Sequence, residues 1–91
     1  MRKRAMVFYT GRVQGIGFRY TAREIDCGYD ATGYVRNLHD GRVELVAEGD
    51  EEEVTAFLEA ICASQLGSHI RNVDVNWREA TEEFNGFDIR Y

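Results

Sequence analysis

The sequence contains no proline, no internal repeat and no low-complexity linker, so nothing in its 91 residues marks a boundary between domains. One domain, residues 1–91, is expected, with room for a single two-layer core. No apolar run approaches the length of a membrane span, and Met1-Arg2-Lys3-Arg4 leads into a strand pattern, not into a signal-peptide core. A cytoplasmic protein without a membrane partner is the expectation. Cysteine and histidine are scarce: Cys27 and Cys62 form no C-x-x-C pair, and neither has a clustered histidine partner. A zinc site and a redox motif are therefore excluded, and both cysteines read as small, partly buried apolar residues. Positive charge is in deficit as well. A net charge of −5 argues against general nucleic-acid binding, and any anion must be held by local charge and oriented amides.

What is present is an ordinary globular composition, 44% apolar and 12% aromatic, which suffices for a packed core. Met6 to Tyr9 lacks clean alternation and reads as a central strand covered on both sides, extending over about Lys3 to Arg12. Phe18, Ala22, Ile25 and Tyr29 recur at helical spacing, with Phe18 as a core anchor and Gly28 as a left-handed C-terminal cap. Ala31 to Leu38 and Arg42 to Gly49 flank His39-Asp40-Gly41, a hairpin turn, and Val43, Leu45 and Ala47 share the core face. Asp50 and Glu53 suggest a capping box for a second helix whose apolar stripe is Val54, Phe57, Leu58 and Ile61. Ser64 to Ser68 reads as a loop, and Ile70 to Glu79 as a strand with Val73, Val75 and Trp77 facing one way. Ala80 to Gly86 is a polar connection, and Phe87 to Tyr91 a short closing strand. The order βαββαβ plus a tail strand fits an α+β sandwich, an antiparallel sheet with two helices on one face.

Between the first strand and the first helix lies Gly11-Arg12-Val13-Gln14-Gly15-Ile16-Gly17-Phe18-Arg19. Glycines there allow positive φ, so that successive N–H groups converge, and the first amides of the helix add to the same positive field. Arg19, in the first helical turn, contributes a planar fork suited to two phosphate oxygens. The loop has neither the Gly-Lys-Ser/Thr ending of a P-loop nor the spacing G-x-G-x-x-G. A right-handed crossover makes the first two strands parallel and brings this loop beside Asn37, at the end of the second.

That nonapeptide, followed by Gly33-Tyr34-Val35-Arg36-Asn37-Leu38-His39-Asp40-Gly41-Arg42-Val43 and ending in Gly86-Phe87-Asp88-Ile89-Arg90-Tyr91, resembles the acylphosphatase family over nearly the whole chain. Ile16 stands where valine is usual, and His39 where proline is common; neither change removes a functional group. The resemblance implies a ferredoxin-like sandwich of core strand order 4-1-3-2. It further implies hydrolysis of a carboxyl phosphate to a carboxylate and inorganic phosphate. Arg19 and the N–H groups of Gln14, Gly15, Ile16, Gly17, Phe18 and Arg19 would bind the phosphoryl oxygens, and Asn37 would orient the attacking water. A carboxylate leaves readily, so no strong general acid, metal or cofactor is expected. The expected partner is a small-molecule acyl phosphate met by a monomer, with no nucleic acid. Two alternatives stand beside this reading: a carbamoyl-phosphate-processing or regulatory domain, and a non-enzymatic RNA-binding sandwich using Phe8, Tyr9 and Tyr34. The missing basic-aromatic signature weighs against the second, and the end of the chain after one domain, with no cysteine-rich extension, against the first.

Overall fold

A computed structural model describes residues 1–91 in full. Its elements are β1 (Arg2–Gly11), α1 (Phe18–Asp26), β2 (Thr32–Asn37), β3 (Val43–Asp50), α2 (Glu51–Ala63), a 3-10 turn (Gln65–His69), β4 (Ile70–Glu79) and β5 (Phe87–Arg90). The strands form one sheet in the order β4-β1-β3-β2-β5. β3 pairs antiparallel with both β1 and β2, so β1 and β2 run the same way, as the crossover requires. The architecture is ferredoxin-like α+β. The four core strands pair antiparallel in the expected order 4-1-3-2, and the short closing strand β5 adds beside β2 in parallel, which makes the whole sheet mixed.

The helices cover one face. Ala5, Val7 and Tyr9 of β1 and Val43, Leu45 and Ala47 of β3 pack there with Phe18 and Ala22 of α1 and Val54, Phe57 and Ile61 of α2. β1 therefore does alternate, with Met6 and Phe8 half-buried on the opposite face, and it is not covered equally on both sides. The 3-10 turn, expected as plain loop, drives Leu66 into the core at 1% exposure.

Buried charge marks the second face. Glu48 is 1% exposed, and its carboxylate accepts the Thr81 N–H at 2.9 Å, the Thr81 hydroxyl at 3.0 Å and the Glu82 N–H at 3.0 Å, with Arg4 3.6 Å away. These contacts hold residues 80–86 as they cross one end of the sheet from β4 to reach the far edge beside β2. Backbone donors in a crossing segment need acceptors, and a fixed carboxylate supplies several at once.

Three local signals read from the sequence are overruled by tertiary contacts. Asp50 makes no side-chain cap at α2, and Glu53 instead accepts the Asp30 N–H at 3.0 Å, joining α2 to the segment before β2. Gly28 is not a left-handed cap; α1 ends at Asp26, Cys27 stays right-handed, and the Gly28 N–H donates to the Ile25 carbonyl at 3.0 Å. Both cysteines are exposed, not partly buried, because each follows the last inward-facing residue of its helix.

Asp26, at the end of α1, has a buried carboxylate oxygen without a partner. Burial, followed by the nearby Asp30, pushes its carboxyl up to about 7. A raised carboxyl means the folded state binds the proton more tightly, so this stabilising contribution is complete below about pH 4 and is lost as pH rises through 7. Asp26→Asn should therefore raise stability at pH 8 by about 1 kcal/mol, after discounting for partial solvent screening, and change it little at pH 4. Urea melts at the two pH values check this, and an equal gain at both would refute the assignment.

Candidate active site

The register places the relevant strand ends together. Tyr9 of β1 and Asn37 of β2 both pair with Val43 of β3, which puts their Cα atoms about 10 Å apart on flanking strands. Beyond Tyr9, β1 runs into the glycine loop; beyond Asn37, β2 runs into the hairpin turn. Both open at the same end of the sheet, opposite the end crossed by residues 80–86.

The loop has the conformation its glycines suggest. Gly15 and Gly17 adopt φ of 79° and 77°, with Gly17 forming the left-handed N-cap of α1. L-residues with a Cβ pay roughly 1–2 kcal/mol for that region. Space is not the constraint, since a Cβ at either position would meet nothing within 4 Å. The loop is an open rim. Its amides are equally open: the backbone bonds outside regular elements begin with the Arg12 N–H to the His69 carbonyl and resume with the Thr21 N–H to the Gly17 carbonyl. From Val13 to Tyr20 no N–H has an acceptor within the protein, and several of these groups belong to the exposed start of a helix.

Side chains hold this rim rigid. Val13 is fully buried and Phe18 is 2% exposed, its ring centroid 4.9 Å from that of Tyr9, so both flanks are anchored in the core. Ile16 is half-buried against the same cluster. Gln14, expected to contribute its N–H, uses its carboxamide to donate to the Leu38 carbonyl at 2.7 Å and the Arg42 carbonyl at 2.9 Å. It ties the loop to the hairpin that begins next to Asn37. Gln14→Ala removes both bonds and should cost about 1–2 kcal/mol of stability. A chemical melt measures it, and a loss below about 0.3 kcal/mol would show that the tether contributes little.

Asn37 and Arg19 complete the corner. Asn37 is half-buried, and the turn beyond it closes without its side chain. There the Leu38 N–H donates to the Arg42 carbonyl at 2.8 Å, and the Arg42 N–H to the Asp40 carboxylate at 3.1 Å. His39 is exposed in that turn. Arg19 is half-buried and makes no ion pair; its guanidinium carbon lies 4.8 Å from the centroid of the Tyr91 ring. Tyr91 in turn shares a hydroxyl contact of 3.0 Å with Tyr20. Because β5 runs parallel to β2 with Arg36 paired to Arg90, Tyr91 follows at the level of Asn37. The ring thus flanks Arg19 from the β5 side of the loop. Sequence reasoning missed this contact: no local pattern connects the last residue to the first helical turn.

The glycine loop with its acceptor-free amides, the unpaired Arg19 and the free carboxamide of Asn37 thus lie at one end of the sheet. A sequence model of the acylphosphatase family matches residues 5–89. An acylphosphatase of Salinibacter ruber is 41% identical over 88 residues, 97% of this chain and 93% of that relative. One of Roseiflexus sp. is 42% identical over 86 residues, 94% of this chain and 92% of its own length. The crystal structure of acylphosphatase from Bacillus subtilis superposes with a TM-score of 0.86 at 34% identity, covering both chains completely.

Proposed function

Because the chain belongs to the acylphosphatase family and is therefore a hydrolase, we propose that it cleaves acyl phosphates at this corner, with Arg19 and the amides of Gln14 through Arg19 binding the phosphoryl group and Asn37 directing the water. The observation that carries the reading is the run of acceptor-free amides from Val13 to Tyr20, held rigid by buried Val13 and Phe18. Fixed donors stabilise developing charge without having to reorganise during the reaction.

In the proposed reaction a water oxygen attacks phosphorus in line with the bond to the acyl oxygen. That P–O bond breaks, its electron pair leaves with the carboxylate, and the water proton passes to a phosphoryl oxygen of the substrate. Charge spreads over the equatorial oxygens during transfer, where a guanidinium fork and several N–H groups can each take one. The carboxamide of Asn37, not needed by the hairpin turn, is available to fix the water on the far side. Positioning and electrostatics carry the catalysis, since the carboxylate departs without protonation. An open rim suits a phosphoryl group borne on the end of another molecule.

Release of inorganic phosphate from benzoyl phosphate tests the reading directly. Saturable turnover, inhibited competitively by inorganic phosphate and unaffected by excess chelator, is the expected result. A folded protein that leaves benzoyl phosphate at its spontaneous hydrolysis rate would sink the proposal. The reading takes the protein as a cytoplasmic monomer acting on a small molecule.

A further inference from the structure

Next to the cradle lies a groove of about 450 Å³ lined by Gly11, Arg12, Ser68, His69, Ile70 and Arg71. No carboxylate lines it, although the chain as a whole is acidic. Four of the arginines elsewhere are neutralised: Arg2 by Glu82, Arg4 by Glu83, Arg36 by Glu44 and Arg42 by Asp40. Arg12 and Arg71 are exposed and ion-paired with nothing.

The backbone fixes this pair of cations. The Arg12 N–H donates to the His69 carbonyl at 3.0 Å, and β1 shifts register against β4 at Thr10 and Gly11. Gly11 has φ 131°, and a side chain there would run into the His69 carbonyl and the Arg71 amide. Glycine is therefore required for the two segments to meet so closely that Arg12 and Arg71 emerge from neighbouring backbones. Arg12 lies only three residues before Gly15, at most roughly 11 Å along the chain. A planar guanidinium on each wall suits a carboxylate or a phosphate, and at this range the local field outweighs that of the whole molecule.

We propose that this groove is a second anion subsite, and that the preferred acyl phosphate carries another anionic group, a carboxylate or phosphate, a short chain away from its carboxyl phosphate. The inference rests on the cradle reading above and adds a substrate class to it. Arg12 and Arg71 are specificity-determining residues here; neither touches the transferred phosphoryl group.

The test compares succinyl phosphate, which bears a distal carboxylate, with benzoyl phosphate, which bears none, on the wild-type protein, Arg12→Gln, Arg71→Gln and the double variant. The KM for succinyl phosphate should rise about threefold in each single variant and on the order of tenfold in the double, as for partly exposed charge contacts. Benzoyl phosphate kinetics should stay within about twofold and also report that the variants fold. In the wild-type protein, added salt should raise the KM for succinyl phosphate more than that for benzoyl phosphate. Equal changes for both substrates, or none for succinyl phosphate, would overturn the subsite. If free inorganic phosphate, not the distal carboxylate, occupies the groove, the double variant weakens phosphate inhibition of benzoyl phosphate turnover while succinyl phosphate is unaffected, which also overturns it. Failure of wild-type protein to hydrolyse benzoyl phosphate would instead remove the cradle reading on which the subsite depends.

Discussion

Arg19→Ala should lower kcat/KM for benzoyl phosphate by about 100- to 1,000-fold, a loss of roughly 3–4 kcal/mol of transition-state stabilisation of the size seen when one preorganised oxyanion donor is removed. Arg19 is the cation nearest the loop amides, and it leaves the first turn of α1, whose opening N–H groups have no acceptor within the protein. Fixed charge gains strength when its position is set before the reaction, and the Tyr91 ring 4.8 Å away limits where the guanidinium can go. Arg19→Lys is the discriminating companion. It keeps the charge but loses the planar two-oxygen fork, so it should recover only a small part of the lost rate. Stability should change modestly, because the side chain is half-buried and carries no ion pair. Near-normal turnover by a folded Arg19→Ala protein would remove this residue from the reaction.

The second large effect belongs to Asn37. Asn37→Ala should reduce kcat by about 100-fold, the scale of losing one positioned reactant, while the inhibition constant of inorganic phosphate moves little. The separation follows from the proposed arrangement: the loop amides and Arg19 would hold the phosphate, whereas Asn37 lies on another strand, paired with Val43. A structural role in the turn would look different. The Leu38–Arg42 backbone bond and the Asp40 carboxylate already close the hairpin, so the variant should melt within about 1 kcal/mol of wild type. Matching losses in kcat and phosphate affinity would make Asn37 a binding residue instead.

Legibility in the sequence depended on range. The stripe Val54, Phe57 and Ile61 was readable because a helix repeats over a few residues, and all three are fully buried. The loop glycines at 15 and 17 were readable for the same local reason, their positive φ being a property of single residues. Capping signals failed where a distant partner competed: Glu53 has the spacing of a capping box, yet its carboxylate serves Asp30, 23 residues away. Cys27 and Cys62 look apolar in composition, but burial depends on helix phase and on where each helix stops. Glu48 alternates with core residues as a surface carboxylate would, and only the return of residues 80–86 makes it a buried acceptor.

By itself, then, the sequence determined the main elements, their order and a glycine loop of positive φ between β1 and α1, because periodicity, glycine φ and the handedness of crossovers act over short stretches of chain. Tertiary structure alone decided the corner's furniture. The Gln14 carboxamide bridges to the hairpin, the Tyr91 ring flanks Arg19, and Arg12 and Arg71 stand on adjoining backbones. Each of these is a contact between residues far apart in sequence, set by sheet register and by the path of β5, and no local preference encodes such a distance.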